Sequence, residues 1–144
     1  MRRILLASDF SKASVKAFAT AASLARTSRA TLMIVHVFVP FMPAVPEEYL
    51  GGATLDRLNA DARRSAERQL AKAIKKAKAA GVRAAGLMME GEPARQIVRA
   101  ARSKHADLIV VGTHGRTGLS KFFVGSVAQR VVLTAPVSSS DGER

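Results

Sequence analysis

Apolar positions recur along the chain in two alternating rhythms. Ile4-Leu5-Leu6-Ala7 is a short unbroken apolar run that predicts a strand over 3–8. Ser11 then offers a cap to a helix, and Val15, Phe18, Ala19, Ala22 and Ala25 fall on one face of it. Thr31-Leu32-Met33-Ile34-Val35-His36-Val37-Phe38 is nearly continuous, short and rich in β-branched residues, the pattern of a parallel strand covered on both faces. Pro40, Pro43 and Pro46 then break regular structure and Gly51-Gly52 closes the stretch, so 39–52 reads as a long loop.

From Thr54 to about Ala80, Leu55, Leu58, Ala62, Ala66, Leu70, Ala73, Ile74 and Ala77 repeat at helical spacing, with Gly81 placed to end the helix. Arg83 to Glu90 predicts a third strand, less apolar and therefore nearer an edge. Gly91-Glu92-Pro93 turns the chain into a helix with proline at its first position and Ile97, Val98 and Ala101 on its inner face. Asp107 to Gly112 reads as a fourth, buried strand, and Gly125-Ser126 opens a last helix carrying Val127, Ala128, Val131 and Val132.

Four strands alternating with helices predict an α/β fold: a single-domain three-layer sandwich with a parallel sheet and right-handed crossovers. A ligand crevice is expected beyond the carboxyl ends of the strands, where the strand order reverses. The pattern alone leaves the order open. A chain of 144 residues is one ordinary domain. Because only 5% of residues are aromatic, the core must be built from Ala, Val, Leu and Ile.

The absence of cysteine excludes disulfides and thiolate metal sites. The opening apolar run is too short for a signal-peptide core, and the expected location is cytoplasmic. A formal charge of +12 invites a nucleic-acid reading. Much of the excess, however, falls on Arg63, Arg64, Arg68, Lys72, Lys75 and Lys76, along the outer face of the long helix and without interleaved aromatic residues. That is the pattern of a solvated face, and nucleic-acid binding is expected only nonspecifically.

The chemistry concentrates in Gly112-Thr113-His114-Gly115-Arg116-Thr117-Gly118 and, with nine residues between it and Gly115, Gly125-Ser126. Gly112 leaves a buried strand and Gly125-Ser126 begins a helix. Glycine permits close backbone approach there, while free N–H groups at the helix start present partial positive charge, so together they can hold phosphate. Ser126 adds a hydroxyl donor, and Arg116 or Lys121 could supply charge. The spacing is neither a Walker A loop nor a Gly-x-Gly-x-x-Gly turn. His114 reads as a loop residue flanking the ligand, His36 as a satisfied core histidine, and His105 as a helix-end residue near the carbonyls.

The spacing G-x2-G-x9-G-[ST], the opening strand ending in Asp9, Ile34-Val35-His36-Val37, the Gly91-Glu92-Pro93 turn and the run Asp107 to Gly118 together resemble the ATP-binding branch of the universal stress protein family. The resemblance covers residues 2–135 and implies a sheet of order 3-2-1-4-5 with an adenine nucleotide (ATP, or ADP or AMP) across strands 1 and 4. It implies a site of Ala7, Ser8, Asp9, Val37, Val111, Gly112, Thr113, Gly115, Arg116, Gly125, Ser126 and Val127. Asp9 would hold the nucleotide or its Mg²⁺, the Val37 backbone would contact adenine, and Gly112, Gly115, Gly125 and Ser126 would cradle ribose and phosphates. No second acid or base is fixed by spacing, so a stress-response regulator or sensor is favoured over an enzyme. Slow ATP hydrolysis and basic nucleic-acid binding are the alternatives.

One departure stands out. Family members end in a fifth strand that pairs with a second subunit, whereas this chain runs from Ala135-Pro136-Val137 into Ser138-Ser139-Ser140-Asp141-Gly142-Glu143-Arg144. The expectation is therefore a domain over 1–135 with order 3-2-1-4, strand 5 missing or displaced, and a disordered polar tail over 136–144. The fourth strand's edge would then be covered by another subunit, making a homo-oligomer, or by a rearranged segment such as the proline loop.

Overall fold

The computed structural model describes residues 1–112 and 138–141. The elements follow in the order β1 (Arg3–Ala7), α1 (Lys12–Ser28), β2 (Thr31–Phe38), α2 (Glu47–Leu50), α3 (Gly52–Ala79), β3 (Ala84–Glu90), α4 (Pro93–Ser103), β4 (Leu108–Val111) and β5 (Ser138–Asp141). They form one all-parallel sheet of order β3-β2-β1-β4-β5. The four-strand order 3-2-1-4 is as expected, and β3 lies at an edge.

The period of two along each strand sorts its side chains into two cores. Ile4, Leu6, Leu32, Ile34 and Val110 face α1 and α3. Leu5, Val35, Ile109 and Val111 face α4. Helices thus cover both faces, and this is why β2 and β4 read as continuous apolar runs.

The caps follow local chemistry. Ser11 accepts from the Ser14 N–H at the start of α1. Glu92 accepts from the Ala94 and Arg95 N–H groups ahead of Pro93. Gly81, at φ 81°, takes the left-handed position after α3 that a side chain would resist.

Two helical faces differ from expectation. On α1 the buried stripe is Ser14, Ala17, Ala21 and Ala25, while Val15 is 57% exposed. Small side chains take the inner face because they let the helix approach strands already filled with Leu and Ile; the Ser14 hydroxyl is satisfied by the Ser11 carbonyl at 2.7 Å. On α3 only Ala66, Leu70 and Ala77 are buried, and Leu58 is exposed. A helix of 28 residues runs about 42 Å, whereas the eight residues of β2 span about 26 Å, so the first turns of α3 overrun the sheet.

Strand 5, expected to be missing or displaced, is present beside β4. Ser138–Asp141 lies parallel to β4 in the register Leu108↔Ser138 to Val111↔Asp141, so the β4 edge is covered by its own chain and 138–141 is paired rather than disordered. Side-chain polarity does not decide such a pairing. A ladder is made by main-chain N–H and C=O groups, and an apolar edge such as β4 recruits whatever backbone can reach it.

Asp107 ties the start of the sheet together. Its Oδ2 accepts from the backbone N–H groups of Arg2 at 2.7 Å and Arg3 at 3.0 Å, and these bonds hold its carboxyl below the ordinary aspartate range. A depressed folded-state pKa gives stability that is present above the ordinary value and lost as pH falls through the lower folded one. Asp107→Ala is therefore expected to unfold at lower urea than the parent at neutral pH, with the gap closing in strong acid. Parallel urea titrations at the two pH values check this.

Candidate functional site

From β1 the chain moves through β2 to β3 on one side, while β4 sits on the other, so the strand order reverses between β1 and β4. Their last residues, Ala7 and Val111, are register partners, which brings the segments leaving both strands to the same end of the sheet. This is where open α/β sheets form a ligand crevice.

The β1 exit is a tightly tied turn. Ser8 N–H donates to the Val35 carbonyl at 2.9 Å, extending β1 past its last paired residue. Ser8 Oγ accepts from Phe10 N–H at 3.2 Å, and Asp9 Oδ1 accepts from Ser11 N–H at 2.9 Å. Asp9 thus makes an Asx turn that leads into the Ser11 cap. Among the described residues its carboxylate is engaged through Oδ1 alone.

Sequence reasoning missed what holds this turn. Phe10 adopts φ 62°, a conformation costing a bulky residue about 1–3 kcal/mol. Its ring stacks on the buried His36 imidazole, with centroids 4.5 Å apart and planes at 22°. His36 Nδ1 lies 2.8 Å from the Ser8 carbonyl oxygen; a carbonyl only accepts, so Nδ1 carries the proton. The reading of His36 as a satisfied core histidine holds, but it also clamps both sides of Asp9. The one signal available was a histidine on an apolar strand.

Val37 lies near the end of β2, opposite Met89 of β3, and with Ala7 packs half-buried against the core under α4. Gly112 follows Val111 immediately. A Cβ there would meet the backbone of Ala13 and Ser14, at the start of α1, at 3.5–3.6 Å. That is ordinary van der Waals contact, so a β-carbon fits there, and with glycine the β4 exit carries no side chain beside α1. Ala7, Ser8, Asp9, Val37, Val111 and Gly112 are gathered at one end of the sheet; Thr113, His114, Gly115, Arg116, Gly125, Ser126 and Val127 lie outside the described residues.

These groups suit a nucleotide better than a bare metal ion. Among the described residues no three His, Cys, Asp or Glu side chains group to hold a metal. A lone carboxylate such as Asp9 is compatible with Mg²⁺ carried in with phosphates, which needs only one or two protein carboxylates. No helix among the described residues is long and apolar enough to cross a membrane.

Comparison with known proteins agrees with this architecture. The model of the Universal stress protein family matches residues 1–138. A universal stress protein of Thermus aquaticus is 36% identical over 135 residues, covering 94% of this chain and 93% of that protein. Among solved structures, protein MJ0577 of Methanocaldococcus jannaschii has the same fold, with a TM-score of 0.82 at 20% identity over 97% of this chain and 94% of its own. A universal stress protein solved in complex with cAMP superposes with a TM-score of 0.67 at 25% identity, covering 97% and 94% of the two chains. One from Archaeoglobus fulgidus in complex with dAMP shares the fold, with a TM-score of 0.67 at 24% identity over 98% and 97%.

Proposed function

The chain belongs to the universal stress protein family, and we propose that it binds ATP, or another adenine nucleotide, beyond the carboxyl ends of β1, β2 and β4 and acts as a stress-response regulator or sensor. The carrying observation is the convergence of the tied Asp9 turn and the side-chain-free Gly112 across the β1–β4 reversal. Relatives solved with cAMP and dAMP support adenine as the base. In this reading the Val37 backbone meets the base beside Ala7 and Val111. Gly112, Thr113 and Gly115 approach the ribose and phosphates, and Gly125, Ser126 and Val127 offer N–H groups at a helix start.

Arg116 adds charge, and Ser8 with Asp9 borders the phosphates, Asp9 reaching Mg²⁺ when it accompanies them. Mg²⁺ would supply charge neutralisation. The protein is proposed to work in the cytoplasm and as a homo-oligomer. Among the described residues β5 is the outer strand on its side of the sheet, which offers a second copy a main-chain edge.

Calorimetric titration with ATP, with and without Mg²⁺, tests the reading. The intact chain is expected to bind with Kd below about 1 mM. Ser126→Ala is expected to weaken ATP about tenfold, the worth of one hydrogen bond to a charged group. Absence of binding by the intact chain contradicts the proposal, and turnover above about one per second would make the protein an enzyme instead.

A further inference from the structure

The end of the sheet opposite the Asp9 turn carries a row of cations. Following the strand order, Arg83 precedes β3, Arg29 precedes β2, Arg2 and Arg3 open β1, and Arg102 and Lys104 precede β4. Adjacent strands lie about 4.8 Å apart, so the row spans about 14 Å. That is within about two Debye lengths at physiological salt, and neighbouring charges reinforce one another.

Helix ends favour cations through their dipole, which accounts for Arg26 and Arg102 in the last turns of α1 and α4. It also covers Arg29 and Lys104, the C-caps of α1 and α4, but it does not account for Arg2, Arg3 and Arg83, which sit at strand entries. Nor, among the described residues, are most of these cations matched by acids. The ion pairs among the described residues are Arg63 with Glu67 and Glu90, and Arg64 with Asp61, all away from this end. Asp107, the described carboxylate beside the row, accepts from the backbone N–H groups of Arg2 and Arg3 and keeps its charge, so it offsets one of the row's cations and leaves the rest.

Two of the guanidinium groups are held in place by carbonyls rather than carboxylates, which positions them and leaves their charge uncompensated. Arg83 Nη2 donates to the Arg29 carbonyl at 2.6 Å, and Arg3 Nη1 to the Lys104 carbonyl at 2.8 Å. Between Arg26, Arg29 and Arg83 lies an open cleft of about 270 Å³, floored by Ala25, Ala30 and Val82.

We propose that this end of the sheet is a second binding surface, which takes the phosphodiester backbone of a nucleic-acid duplex without reading its sequence. A duplex presents one charge per about 1.7 Å of its axis, so a 14 Å row meets several phosphates at once. The row carries no aromatic side chain on which unpaired bases would stack, which favours a duplex over a single strand. The surface is distinct from the outer face of α3, where Arg63 and Arg64 are already paired with acids, and it does not depend on nucleotide binding at the other end.

Fluorescence anisotropy of the full chain with a labelled mixed-sequence DNA duplex, across about 50–200 mM salt, tests the assignment. Two triple variants remove equal charge: Arg26→Gln/Arg29→Asn/Arg83→Gln at the cleft, and Arg64→Gln/Arg68→Gln/Lys75→Gln on α3. The cleft variant is expected to bind at least tenfold more weakly, with a salt slope shallower by about 2–3, because each lost phosphate contact removes about 0.9. The α3 variant is expected to stay within about twofold of the parent.

Should loss of the Arg83–Arg29 bond unfold the cleft variant, as judged by circular dichroism, Arg2→Gln/Arg26→Gln/Arg29→Asn removes the same charge and keeps the Arg83 guanidinium. Equal losses in both triple variants, or none in either, would overturn the proposal, because binding would then follow total charge. Tighter binding of poly-glutamate than of duplex, abolished by the cleft variant, would also overturn it in favour of an acidic protein partner.

Discussion

Gly112→Val is expected to lose measurable nucleotide binding, at least a tenfold increase in Kd or about 1.4 kcal/mol, and to unfold at lower denaturant than the parent. The first β-carbon placed there meets Ala13 and Ser14 main-chain atoms at ordinary contact distance. Gly112→Ala is therefore expected to fold almost normally. Valine adds two methyl groups beyond that contact. One side lies against the first turn of α1, whose backbone is pinned by the Ser11 cap and cannot retreat cheaply; overpacking of this kind costs about 1–3 kcal/mol. In the proposed site, the added methyl groups would also take space beside the ribose or phosphates. Calorimetry on the alanine and valine variants separates the effects. A valine variant that binds as the parent does would remove Gly112 from the site.

The largest effect on stability is expected from Leu6→Ala. Leu6 is fully buried, is paired in register with Ile34 and Val110, and belongs to the core that α1 and α3 cover. Truncation removes its apolar contacts and leaves a cavity between rigid strands that cannot close, so a loss of about 3–4 kcal/mol is expected. Against a typical total of about 5–15 kcal/mol this is a large fraction, and at about 2–4 °C per kcal/mol it lowers Tm by about 10 °C. Val15→Ala is the matched control. Val15 is 57% exposed, and its loss should stay within about 0.5 kcal/mol. Urea melts with unchanged m-values measure both; a comparable loss at Val15 would restore the helical face that apolar spacing alone suggests.

That control marks the limit of what the sequence could show. Strand positions were legible because a sheet covered on both faces demands unbroken apolar runs; the second run spans Thr31–Phe38 in sequence and structure alike. Helix starts were legible where a side chain makes the cap, as at Ser11, or where proline sets the first turn, as at Pro93. The inward face of α1 was read only in part: Phe18, Ala22 and Ala25 do pack on the core, but hydropathy ranks Val15 above Ala17 and Ala21, while the geometry of a helix on a Leu- and Ile-filled sheet favours the small residues. β5 was missed for the opposite reason: serines advertise nothing, yet their backbone pairs as well as any.

At the candidate site, Asp9 and Gly112 could be found from residue type and spacing, and the structure places both at the β1–β4 reversal. The clamp behind Asp9 could not. A phenylalanine at φ 62° stacked on a histidine from the next strand depends on two segments meeting in space, and neither residue type signals that conformation on its own.

The central claim is that an adenine nucleotide lies at the carboxyl ends of β1, β2 and β4, and amide NMR during an ATP titration tests it most directly. The account predicts shifts that cluster at Ser8, Asp9, Phe10, Val37 and Gly112 and saturate below about 1 mM, while Arg26, Arg29, Val82 and Ala106 at the opposite end stay still. No shifts at millimolar ATP, or shifts gathered around Arg26, Arg29 and Arg83 instead, would contradict it.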